Sequence, residues 1–201
     1  MGNSFSLLLV ISILLTLLLQ LFAEPILFTF GASENTIGYA MDYLRIYSLG
    51  TVFVQITLGM NAYITAQGFT SVSMKTVLLG AILNTILDPI FIFGLGLGVK
   101  GAALATILSQ GVSAIWVLRF LTGKQTILKL RLKNMKLIPS VILPCLGLGI
   151  SSFIMVSTES ILSISFTTSL AKFGGDVAVG AMTVLTSINQ LITMPLSGVC
   201  Q

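Results

Sequence analysis

Asn84 and Asp88 lie four residues apart in the apolar run AILNTILDPIFIF, and a second acid, Glu159, interrupts the apolar run ISSFIMVSTESILSIS. An ionised carboxylate in hydrocarbon costs about 2.5–3.5 kcal/mol on insertion scales, so a chain that keeps one there turns it toward protein or a water-filled cavity. The i, i+4 spacing puts Asn84 and Asp88 on one helix face. Pro89 follows directly. It has no N–H to give the carbonyl one turn back, at Thr85, and its ring pushes against that carbonyl. Carboxylate, amide oxygen and released carbonyl form an all-oxygen set that suits a hard cation such as Na⁺, or a proton on the carboxylate. The two compete for the same oxygens. The plainer reading, a buried Asp bonded to Asn84 for packing, leaves a charge at this depth without a purpose. Glu159 sits among Ser157, Thr158 and Ser160. Those hydroxyls solvate it or line a polar cavity, unless it snorkels to an interface.

Other polar residues fall in apolar stretches: Gln55, Asn61, Thr106, Ser109, Gln110, Asn189 and Gln190. Interhelical hydrogen bonding is their first reading. Contact with a substrate cleft is the second for Gln55, Asn61, Asn189 and Gln190. Several chemistries are excluded. The chain has no His, and Cys145 and Cys200 lack metal-ligand spacing. There is no G-x-x-x-x-G-K-[ST] phosphate loop, so any transport draws on an ion gradient. No resident cofactor is expected.

The elements that must position these residues are membrane helices. Of the 201 residues 55% are apolar and 8% charged, with a mean hydropathy of +1.05; soluble domains carry roughly 25% charge. The expected class is an all-α integral membrane protein embedded in a lipid bilayer. Six stretches reach the length of a span: 5–24, 43–65, 74–95, 101–121, 138–165 and 177–199. The first is followed by Glu24-Pro25 instead of a small-residue cleavage site, so it reads as a retained span. Arg119, Lys124, Lys129, Arg131, Lys133 and Lys136 crowd one connection, and Lys75 lies on the same side. By the positive-inside rule that side, with the N-terminus, is cytoplasmic. The basic loop sets orientation and is also able to hold anionic headgroups. Its charge gives no ground for a nucleic-acid partner. It divides the chain into 1–122 with four spans, a linker at 123–137, and 138–201 with two spans.

The segments GASENTIGYAMDYLRIYSLG, GMNAYITAQGFTSVSM, AILNTILDPIFIFGLGLGVKGAALAT, LGISSFIMVSTES and GGDVAVGAMTVLTSINQLITMPLSG, in that order and spacing, resemble the multidrug and toxic compound extrusion (MATE) family of secondary transporters. The likeness is greatest to its MepA-type bacterial branch. The resemblance implies twelve helices in two six-helix bundles around a cleft, of which this chain would supply helices three to eight. Helices one and two and nine to twelve would be its missing partners. It implies a cation site with Asn84 and Asp88 on the fifth helix and Thr106 nearby on the sixth, and a coupling acid, Glu159, on the seventh. Ser151 stands where many members have Pro.

The expected function is multidrug efflux across a bacterial plasma membrane, by antiport of cationic amphipathic compounds against H⁺ or Na⁺. Two alternatives stay open. A flippase for lipid-linked substrates would want a basic cavity, for which Arg45 is the intramembrane candidate. A transporter fragment would not work alone. An intramembrane aspartyl protease would need two facing acids, and Asp88 and Glu159 belong to different halves of the implied architecture.

Overall fold

Each long apolar run, stopped by glycine or a polar cluster, becomes a helix. The helices are α1 (Gly2–Leu21), α2 (Ala23–Thr29), α3 (Ile37–Leu49), α4 (Thr51–Ala66), α5 (Thr70–Pro89), α6 (Val99–Thr122) and α7 (Pro139–Cys200), with a π-helical turn Ile90–Gly94 continuing α5. The structure, a computed structural model, describes residues 1–131 and 135–200, with side chains through Thr193. Lys133, the side chains of Pro195 and Cys200, and Gln201 lie outside the described residues.

Among the described residues four helices are long and apolar enough to cross a membrane, and the pair α3–α4, bent by 56°, makes a fifth crossing. Gly175 (φ 64, ψ −169) splits α7 into arms over 139–174 and 176–200. The all-α membrane class expected from composition is observed.

The crossings differ from the hydropathy pattern at three places. The first is α1 followed by α2, broken at Phe22 (φ −113). Pro25 sits in the first turn of α2, where its missing N–H has no carbonyl to serve. The second begins at Ile37 instead of 43. A hydroxyl turn starts it: the Ser33 N–H donates to Thr36 Oγ1 at 3.0 Å. Hydropathy detects apolar length and is blind to such polar starts. The connection expected over 166–176 shrinks to Gly175, because 163–174 stay helical. Ser165 satisfies its hydroxyl by donating to the Ile161 carbonyl at 2.9 Å, so its polarity does not open the helix.

α6 is the central post, packed by α3, α4 and α5, while α1 lies against α4 and α3. Phe5, Ile56, Met60, Ile64, Ala114, Val117 and Leu121 form the apolar core at one end. Toward the middle the buried residues become small and hydroxylic: Thr57, Thr76, Ser109 and Ser113. Small residues let helix backbones approach where lipid offers no hydrophobic drive for association. α7 touches the rest lightly, through α1 and a bond from Thr168 Oγ1 to the Thr29 carbonyl at 3.3 Å.

Candidate cation site between α5 and α6

Thr76, Gly80, Asn84 and Asp88 recur every four residues and form one ridge of α5. On α6 Thr106, Ser109, Gln110 and Ser113 recur every three to four residues. The two stripes face each other.

Two glycines hold the helices close enough for contact. A Cβ on Gly80 would lie 2.7 Å from Ser113 Oγ, and one on Gly101 2.7 Å from the Phe91 carbonyl. Between these points Asn84 Nδ2 donates to Asp88 Oδ1 at 3.2 Å and to Thr106 Oγ1 at 3.5 Å. The Thr106 hydroxyl donates in turn to the Ala102 carbonyl at 2.9 Å. All three side chains are half-buried. The chain answers Pro89 with the π turn immediately after it, rather than with a sharp kink. Wide turns of this kind are frequent at functional sites.

One carboxylate serves the cluster, and among the described residues no three of Asp, Glu or Cys come together. A single negative charge matches one proton or one monovalent cation. Asn84 and Thr106 also line a cavity of about 220 Å³ with Thr57, Thr76, Ser109 and Gln110. Gln110 Oε1 is buried there without a protein partner. A polar cavity of that size holds several waters.

The other sequence candidates stand apart. Glu159 is exposed on the first arm of α7, and α7 makes its contact with the bundle through α1. Asn61 ties α4 to α5, donating to Ser73 Oγ at 2.8 Å. Gln55 is half-buried and outside the cavity lining, and Asn189 and Gln190 are exposed on the second arm of α7. Polarity read residue by residue does not single out Thr57, Thr76 or Ser113; the i, i+4 polar ridge is the signal that finds them.

Residues 1–90 match the MatE family model. Over 191 residues the chain is 31% identical to the multidrug export protein MepA of Staphylococcus haemolyticus, an overlap covering 94% of this chain and 42% of that protein. The fold superposes on the MATE multidrug transporter DinF-BH, solved in complex with a small molecule, with a TM-score of 0.92 and 33% identity, covering 98% of this chain and 44% of that one. An inward-facing MATE family transporter gives 0.88 at 26% identity, covering 96% and 44%. The chain belongs to the MatE family. It spans less than half the length of these MatE relatives.

Proposed function

We propose that the chain forms part of a secondary active multidrug exporter that exchanges cationic amphipathic compounds for H⁺ or Na⁺, with Asn84, Asp88 and Thr106 as the coupling site. The reading rests on one observation: a lone carboxylate, an amide and a hydroxyl meet at a π turn in the apolar middle of a MatE fold. With its nitrogen toward Asp88, the Asn84 amide stabilises the ionised carboxylate. Turned by 180°, it presents Oδ1, which suits a cation shared with the carboxylate. A proton on Asp88 removes the charge altogether. Each change alters what α5 and α6 exchange across their contact. An ion that binds one arrangement better than the other shifts the population of transporter states by that difference in affinity.

Two relatives support a small-molecule substrate class: the multidrug transporter solved with its bound compound, and the MepA exporter. The test is dye efflux from vesicles holding a full-length transporter that carries this sequence, with H⁺ and Na⁺ gradients imposed in turn. Asp88→Asn is expected to abolish gradient-driven efflux while membrane insertion is kept. Unchanged efflux would remove Asp88 from the coupling role, and the gradient that drives the unmodified protein names the ion.

A further inference from the structure

We propose that a cleft at the basic end of α5 and α6 binds the headgroup of an anionic phospholipid. Its volume is about 550 Å³, and three cations border it: Lys75 of α5, Arg119 of α6 and Lys124 just beyond α6. Its floor is apolar and aromatic, from Val72, Trp116 and Phe120. The spacing explains the shape. Val72 and Lys75 share a face of α5 at i, i+3, and Trp116, Arg119 and Phe120 share a face of α6 at i, i+3 and i+4. Phe120 is fixed by an edge-on contact with Phe69, ring centres 5.2 Å apart.

The charges are uncompensated. Among the described residues the ion pair lies at the other end of α6, Lys100 to Asp42 at 3.4 Å. Among those residues none of the three cleft cations has a carboxylate within that reach. A residue that only orients the chain needs no particular neighbours. These three come from two helices and a loop and converge over an aromatic floor within a turn or two of the helix ends. That is where lipid phosphates lie in a bilayer. Arg119 offers a bidentate fork to phosphate oxygens, the lysines add point charges on apolar stems, and Trp116, 42% exposed, has the amphipathic ring favoured at the interface. An acyl chain leaving the headgroup runs along the apolar floor. Basic clefts between membrane helices are the geometry that recognises anionic headgroups.

Trp116 is the chain's one tryptophan, so its fluorescence reports on this cleft. The 201-residue chain is placed in vesicles containing brominated phosphatidylglycerol, or brominated phosphatidylcholine, mixed with the unbrominated other lipid. Quenching against composition gives the relative affinity of the two headgroups. The expected preference is about fivefold for the anionic lipid, the effect of one fully effective basic contact, and it weakens as salt is raised. Lys75→Gln, Arg119→Gln and Lys124→Gln together should bring the ratio near one. Lys124→Gln alone lies outside the helices and should lower it partway. The control set Lys129→Gln, Arg131→Gln and Lys136→Gln removes equal charge from the same loop and should leave the ratio unchanged. Equal quenching by both lipids, or an equal loss in the control set, overturns the site. Loss of the preference on adding millimolar inorganic phosphate overturns the lipid assignment in favour of a small soluble anion.

Discussion

Thr106 is the residue whose contribution is most open to measurement, because its hydroxyl accepts from Asn84 while donating to its own helix at Ala102. Removing the hydroxyl leaves the charge of the site untouched and takes away one oxygen. A neutral hydrogen-bonding group contributes about 0.5–1.5 kcal/mol net. In a full-length transporter Thr106→Ala should therefore raise the ion concentration for half-maximal dye efflux by about 2–12-fold, and Thr106→Ser should restore it. A wild-type response in Thr106→Ala would place the hydroxyl outside the coupling site. Glu159 calls for a different expectation. It is exposed and far from the Asn84 contact, so Glu159→Gln should lower efflux less than Asp88→Asn does, and for some substrates only. Wild-type efflux with every substrate tried would return Glu159 to an interfacial role.

At the scale of helices, the site depends on how near α5 and α6 come, and Gly101 sets that distance at the π turn. Its added Cβ would meet backbone atoms of Phe91 at 2.7 Å, and backbone cannot swing aside as a side chain can. Gly101→Ala should displace the start of α6 and cost about 1–3 kcal/mol as overpacking. The 3.5 Å contact between Asn84 and Thr106 is the first to be lost. A thermal-stability measurement in detergent, paired with efflux at saturating ion, checks this. Unaltered stability would mean that α6 shifts without strain. The same elements show what was legible in the sequence. Asn84, Asp88 and Pro89 could be read directly, because polarity in an apolar run needs no partner to be conspicuous. The π turn could not, since it is the backbone's answer to Pro89 and to α6 packing on Phe91. The polar cavity was half legible. Ser109 and Gln110 were visible one by one, but the facing ridges emerge only when Thr76 and Ser113 are set at helical period. The bend between α3 and α4 was hidden too, because hydropathy runs through Gly50 without a break.

Over the whole molecule, packing is uneven. α6 is wrapped by α3, α4 and α5, whereas the described side chains of both α7 arms are mostly exposed, with large apolar groups such as Phe153, Phe173 and Val177 uncovered. Lipid covers apolar side chains at no cost, so exposure alone does not mark a missing neighbour in a membrane protein. Thr158, Ser160, Asn189 and Gln190 on the same arms are different. Polar groups exposed in hydrocarbon are costly, and they are normally turned into a bundle or a cavity. The chain also spans 42–44% of the length of its relatives. Alternating access moves one bundle against another around a shared site, and here α7 rests on α1 with few contacts. The 201-residue chain by itself should therefore insert into the membrane and fail to export dye under either an H⁺ or a Na⁺ gradient. The same sequence within a full-length transporter should export under one of them. Parallel efflux measurements on the two proteins check this. Export by the short chain alone would show that α1–α6 and the two arms of α7 suffice for alternating access, and that the coupling site needs no helix beyond those described.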